Sequence, residues 1–324
     1  MRLALAVAVA AAAILALVLV AGGDDDESSA EAARWVSLAP SPHERTEVAA
    51  ARVGTSIYVI GGFERAGSRT TRAVARYDIG RDRWERVRPL PVGLNHAAAA
   101  ADERFVYVHG GYTGAGDLRG EVARLYRYDT ERRRWTRLPD APTKRAAHTL
   151  GLIDGRLYAA GGANARDGAL RLLEVYDIAR RRWSRGPSMR FAREHLAGTV
   201  SDDCLYALAG RAAGRGNFKV AERFCPGRGR WERLPDMRKA RGGIAAAATR
   251  SFVVVVGGEE QGGTIAPVEA YDPRRRRWSR LPDMLTPRHG LGAASFLGRR
   301  LYTLEGGPEP GFAFSNRVEA LTVE

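Results

Sequence analysis

The sequence predicts an all-β protein, a six-bladed β-propeller preceded by an apolar leader helix. Three observations carry that expectation. The six tryptophans, Trp35, Trp84, Trp135, Trp183, Trp231 and Trp278, lie by subtraction 49, 51, 48, 48 and 47 residues apart, a period that covers the chain from residue 35 onward. Each period holds four short β-patterned runs, which in the second are "HAAAAAD", "RFVYVHGG", "VARLYRYD" and "RWTRLP". A lone four-stranded meander cannot bury both faces, whereas units stacked radially about an axis bury each sheet against its neighbours.

The elements follow in chain order. Residues 1–21, "MRLALAVAVAAAAILALVLVA", carry one charge, Arg2, ahead of an apolar run long enough to span a bilayer. Two readings stand, a cleaved signal peptide with its small-residue site at Ala21-Gly22-Gly23 or a retained signal anchor. Either way, Arg2 before the run and Asp24 to Glu27 after it place the remainder outside the cytoplasm. Residues 22–34 are small and acidic, with nothing to bury, and read as a disordered linker. The repeats then fill residues 35–324, so the 324-residue chain leaves no room for a second domain.

Within the repeats, Arg ten residues after Trp, an apolar strand, a run such as "IYVIGG", then "YD" and the next Trp resemble the kelch repeat. The double glycine stands at Gly61-Gly62, Gly110-Gly111, Gly161-Gly162 and Gly257-Gly258, with weaker copies at Ala209-Gly210 and Glu305-Gly306. Tyr-Asp stands at Tyr77-Asp78, Tyr128-Asp129, Tyr176-Asp177 and Tyr271-Asp272; the fourth and sixth repeats depart with Phe224-Cys225 and Leu321-Thr322. The resemblance makes these residues scaffold: glycines turn the strand ends and Tyr and Trp fill the space between blades.

Counting strands bears on closure. The sixth repeat ends with its third strand at "NRVEALTVE", while "ARWVSLAPSP" at 33–42 has the register of an unassigned outer strand. The amino-terminal segment is therefore expected to complete the last blade and close the ring, leaving no open edge. In the fourth repeat, a hairpin that pairs residues 210 and 219 also pairs Cys204 with Cys225, so an oxidising compartment should link them.

The net charge of +14 is almost all arginine, the lysines being Lys144, Lys219 and Lys239. It fits either a solvated surface or an anionic partner. Arg81 and Arg83, Arg132 to Arg134, Arg180 to Arg182, Arg228 and Arg230, and Arg274 to Arg277 fall between third and fourth strands, forming a basic ring on one face. That ring could meet an anionic membrane surface. Arg45, Arg145, Arg193, Arg241 and Arg288 open the strands nearest the axis, where two roles compete: binding an oxyanion at the channel mouth, or bonding neighbouring backbone.

His96, His195 and His289 sit one or two residues beyond that position and join the arginines as candidate ligand contacts at the channel mouth. None belongs to an HxH or HxxxH pair, and no metal is expected. Glu194 and His195 are adjacent acid and imidazole, but consecutive strand residues point to opposite faces. "GAGDLRG" at 114 has the wrong spacing for a dinucleotide loop, and no cofactor is expected.

The expectation is an extracytoplasmic, monomeric, non-catalytic scaffold for a glycan, cell-envelope polymer or protein partner, anionic in character and held at the channel-mouth face. Nucleic acid is not expected, for want of aromatic platforms among the basic residues. The competing reading is enzymatic. Galactose oxidases, which are kelch-like, have seven blades and a Tyr-Cys cross-link that two cysteines in one blade do not suit. The chain is more similar in blade number and export to the kelch-like sialic acid mutarotases, which implies epimerase chemistry on an acidic sugar without placing catalytic residues.

Overall fold

A computed structural model describes residues 33–66 and 69–323. The leader, most of the acidic linker and their expected roles lie outside the described residues. No helix among the described residues is long and apolar enough to cross a membrane.

Besides small two- and three-stranded sheets, the described residues form six sheets that each have a four-stranded antiparallel path. The first comprises Ala49–Val53, Ser56–Ile60, Val74–Asp78 and Arg83–Arg86, in that order from the axis outward. Short, alanine-rich innermost strands meet at the axis because only small side chains fit where six sheets converge. Each innermost strand packs on the next, from Ala49–Val53 and Ala98–Ala101 round to Gly292–Phe296, which returns to the first. The apolar clusters lie between blades; one joins Tyr77 and Ile57 of the first to Tyr302 and Ala320 of the last.

The ends of the chain pair as the strand count requires. Trp35–Ser37 runs antiparallel to Val318–Thr322, with Trp35 opposite Leu321 and Ser37 opposite Glu319. Cys204 and Cys225 are joined by a disulfide across adjacent strands, whose register sets Leu205 opposite Phe224.

Two belts of hydrogen bonds run around the ring. Every tryptophan indole donates to a carbonyl of the preceding blade at 2.7–2.9 Å, Trp84 to Ala39 and Trp35 to Pro282 among them. Inside these, the second residue of each glycine pair donates its N–H to the carbonyl that opens the next blade, Gly62 to Leu94 and Gly306 to Arg45, both at 2.8 Å. The double glycine is needed at this approach: at Gly61, with φ +63°, an added Cβ would stand 2.2 Å from the Leu94 carbonyl oxygen.

The basic loops contain their own counter-charge. Asp78, Asp129, Asp177 and Asp272 accept the backbone N–H groups of Arg81, Arg132, Arg180 and Arg275, closing each turn, and pair with the same guanidinium groups. The aspartate of the Tyr-Asp pair is thus a turn residue, and each such loop presents less net charge than its sequence suggests.

Candidate functional site at the channel mouth

The five arginines expected at the mouth are elsewhere. Arg45, Arg145, Arg193, Arg241 and Arg288 are fully buried, and each is held by a carboxylate: Glu305, Glu174, Glu222, Glu269 and Glu319 respectively, at 2.7–2.8 Å. Further donors reach main-chain carbonyls, Arg193 those of Ala209 and Val220 at 2.9 and 2.8 Å, while Nε of Arg145, Arg193 and Arg241 has no protein partner. With their charge met by buried carboxylates and no exposed surface, these side chains staple strands, within a blade for Arg145, Arg193, Arg241 and Arg288 and, through Glu305, from the first blade to the last for Arg45.

Two residues beyond each arginine position stand Glu47, His96, Ala147, His195, Gly243 and Gly290. All six adopt left-handed backbone, with φ between 49° and 69°. That conformation breaks strand alternation and turns the side chain towards the axis. It also forms a third, innermost belt: the N–H groups of His96, Ala147, His195, Gly243 and Gly290 each donate to the equivalent carbonyl one blade back, and Val48 closes the circle onto Gly290, all at 2.8–3.1 Å. The four side-chain-bearing members and both glycines line one cavity of about 130 Å³ above an alanine-walled shaft.

Glu47 Oε2 lies 3.1 Å from His96 Nε2, and Glu47 Oε1 lies 3.2 Å from His289 Nδ1. The His96 and His195 rings meet edge to face with centroids 4.8 Å apart. His195 Nδ1 is hydrogen-bonded to Glu194 Oε2, and Glu194 is held at 3.1 Å by Arg211, which reaches on to Glu259 at 2.7 Å. The expectation that Glu194 and His195 point apart is thereby corrected: the left-handed turn at His195 brings both to the mouth. His289 is almost fully buried behind Glu47 and does not line the cavity.

Burial pushes the His96 imidazole down to about 4 against the opposing pull of Glu47, so it is neutral at neutral pH. Burial works to raise the Glu47 carboxyl, but the surrounding histidines outweigh it and hold the group ionised well below its usual range. Glu194 and Glu259 are likewise lowered, against burial, by their histidine and Arg211 partners. Burial opposes protonation of His289, yet Glu47 and Glu259 raise its pKa.

Small hairpins beyond the glycine pairs form the rim, for instance Arg211–Ala212 with Gly216–Asn217. Phe63 packs edge-on to His96, and the exposed Phe312 tilts against Phe63 with centroids 5.1 Å apart. Glu47, Arg211, Glu259 and Phe312 escaped the reading of the sequence. Glu47 had a usable signal, since it stands twelve residues after Trp35 as His96 and His195 do after Trp84 and Trp183.

Radial four-stranded sheets around a small-residue axis define a β-propeller. The KLHDC2/KLHL20/DRC7 Kelch-repeats domain matches residues 47–238 and 95–307, and the chain belongs to the kelch-repeat family. A solved structure described as "Structure of YjhT" is similar to it, with a TM-score of 0.74 and 15% identity over 87% of this chain and 95% of that one, a likeness of fold. Among curated proteins none matches significantly.

Proposed function

We propose that the chain is an extracytoplasmic six-bladed kelch propeller, closed by its amino-terminal strand, that serves as a non-catalytic scaffold binding a glycan, cell-envelope polymer or protein partner at the channel mouth. The carrying observation is the exposed Phe312 ring beside the polar cluster of Glu47, His96, Glu194 and Arg211. A flat apolar face next to donors and acceptors suits a pyranose, whose CH face stacks while its hydroxyls bond. The apolar leader and the disulfide support an exported location.

The chemistry of the mouth shifts the expected ligand. With its arginine ring withdrawn into the blades, the mouth carries Glu47, Glu194 and Glu259 against Arg211, so a neutral polyol suits it better than a bare anion. An anionic polymer is better matched by the groove of about 710 Å³ at the third blade, where Lys144, Arg166, Arg171 and Arg185 outnumber Glu121 and Asp167. The test is thermal shift of the protein against neutral and acidic glycans, since a specific ligand raises stability by mass action. Phe312→Ala should abolish the shift while leaving the unliganded melting temperature nearly unchanged, and Arg211→Ala should abolish it while lowering that temperature, since it strands Glu194 and Glu259. A shift retained in both variants sinks the mouth as the site.

One observation favours the enzymatic reading, in which the chain acts as a mutarotase or epimerase on an acidic sugar. Glu194, His195 and Arg211 form a hydrogen-bonded acid, imidazole and cation set, the composition needed to move a proton at a sugar oxygen beside a carboxylate. Faster anomer equilibration of an acidic sugar by NMR, lost in Glu194→Gln, would establish it over the scaffold reading.

A further inference from the structure

We propose that Glu47, His96 and His195 form a site for one divalent transition-metal cation of the imidazole-preferring class, with Zn²⁺ as its type. One potential ligand atom from each lies within 4.8 Å of the others, although the histidines are 99 residues apart in sequence and on different blades. Zinc bonds of 2.0–2.1 Å place tetrahedral donors about 3.4 Å apart, so closing on a metal asks about an ångström of side-chain movement.

The protonation of His96 is fixed by a chain of donors. The Thr70 hydroxyl donates to the Gly114 carbonyl, so its oxygen must accept from Asn95 Nδ2, at 2.7 Å. Asn95 Nδ2 also faces the Tyr112 carbonyl, which orients Asn95 Oδ1 towards His96 Nδ1 at 2.6 Å. Nδ1 therefore carries the proton. The lone pair of His96 Nε2 then faces the Glu47 carboxylate at 3.1 Å, a contact that a proton or a metal cation shared by the two atoms would satisfy. His195 is arranged in the same way: its Nδ1 donates to Glu194, which leaves Nε2 for another partner.

Each of the three ligands has an orienting partner of its own. His96 has the Asn95 amide, His195 the Glu194 carboxylate and Glu47 the His289 imidazole. Metal-binding histidines characteristically donate their other ring N–H to a carboxylate or carbonyl in this manner, which sets tautomer and ring direction. The backbone adds rigidity, because all three ligands stand on the innermost hydrogen-bonded belt. At the equivalent positions of the other blades, Ala147, Gly243 and Gly290 leave space for a water or ligand oxygen as fourth donor. Arg211 and, when protonated, His289 oppose the ion here, and Glu259 lies near both while Glu194 pairs with Arg211. Two imidazoles and one carboxylate favour zinc-like ions over calcium or magnesium, which prefer oxygen alone.

The test is titration of the chelator-treated full chain with Zn²⁺ by calorimetry and equilibrium dialysis, with Co²⁺ absorption reporting nitrogen coordination. One Zn²⁺ per chain is expected, undisturbed by excess Ca²⁺ or Mg²⁺. His96→Ala and His195→Ala should lose stoichiometric uptake, Glu194→Gln should weaken it about 10- to 100-fold, and His43→Ala, at a separate Glu64 contact, should change nothing. Absence of uptake by the parent protein overturns the proposal, as does parent-like affinity in folded His96→Ala and His195→Ala. Should either alanine variant fail to fold, the isosteric Glu47→Gln decides, since parent-like affinity there also overturns it.

Discussion

A buried arginine is tolerated where a carboxylate meets its charge, and the blades show the consequence of that rule within one chain. In the third to sixth blades Arg pairs with a Glu on the third strand, two residues before its Tyr, Phe or, in the sixth, Leu321: Glu174, Glu222, Glu269 and Glu319. The second blade lacks both partners, having Leu94 and Tyr126 in the two positions, which pack in one apolar cluster. The first blade keeps Arg45 but has Ala75 at the acid position, and there Glu305 crosses from the last blade in place of a first glycine. Charge and counter-charge are thus present or absent together. Arg145→Leu alone should cost about 3–5 kcal/mol, because it strands a buried Glu174 carboxylate. Arg145→Leu with Glu174→Tyr, which copies the second blade, should recover more than half of that loss in urea unfolding; a double variant no more stable than the single one refutes the pairing rule. The arginine positions were legible ten residues after each tryptophan, but their direction was not. A period locates Cα atoms, and only the matching glutamates say where a guanidinium points.

At the scale of strands and turns, the departure from alternation decides what the mouth contains. Six left-handed residues in equivalent places turn Glu47, His96 and His195 inward, and no short-range motif could show this because the residues that meet come from separate blades. A second cross-blade contact lies outside the mouth. His109, at the end of a second strand, meets His148 of the next blade at 2.8 Å between Nδ1 and Nε2. Burial pushes His109 down to about 3 and His148 well below its ordinary value, each opposed further by Arg145. Both stay neutral in the folded protein, whereas in the unfolded chain they take protons near pH 6.5. Depressed histidine pKa values favour the unfolded state as pH falls. Stability contributed at neutral pH is therefore lost from about pH 6.5 downward, by up to about 1.4 kcal/mol per pH unit for each histidine. Replacing the pair by the residues of the fifth and sixth blades, His109→Val with His148→Leu, should flatten the fall in melting temperature between pH 7.5 and 4.5. An equally steep fall in the variant assigns acid sensitivity elsewhere, with His96 the next group to examine.

For the molecule as a whole, the question is what keeps six sheets in a closed ring when the chain itself is open. Three concentric belts answer it, and each crosses the junction of last blade and first: Trp84 to the Ala39 carbonyl, Gly306 to Arg45, and Val48 to Gly290. The period of tryptophans and the missing outer strand made the architecture legible, because closure follows from counting strands. The belts were not legible, since they depend on main-chain carbonyls that carry no residue signature. They also divide unevenly at the junction. Removing residues up to 44 deletes the Ala39 acceptor of Trp84 at the junction, the Trp35 bond to the fifth blade and the strand Trp35–Ser37, and uncovers the edge of Val318–Thr322 along with Leu321, Leu301 and Met284. The two inner belts stay, since Arg45 and Val48 stay. Losing the Trp35 side chain alone should cost about 3–5 kcal/mol, and a chain of this size loses about 2–4 °C in melting temperature per kcal/mol. A chain beginning at residue 45 should then melt about 10 °C or more below one beginning at residue 30, and aggregate through its bare edge. Trp35→Ala in the longer chain separates the two contributions: it should lower the melting temperature yet leave the protein monodisperse, because the strand still pairs. Equal melting temperatures for the chains beginning at 30 and 45 would show that the amino-terminal strand is not what holds the ring shut.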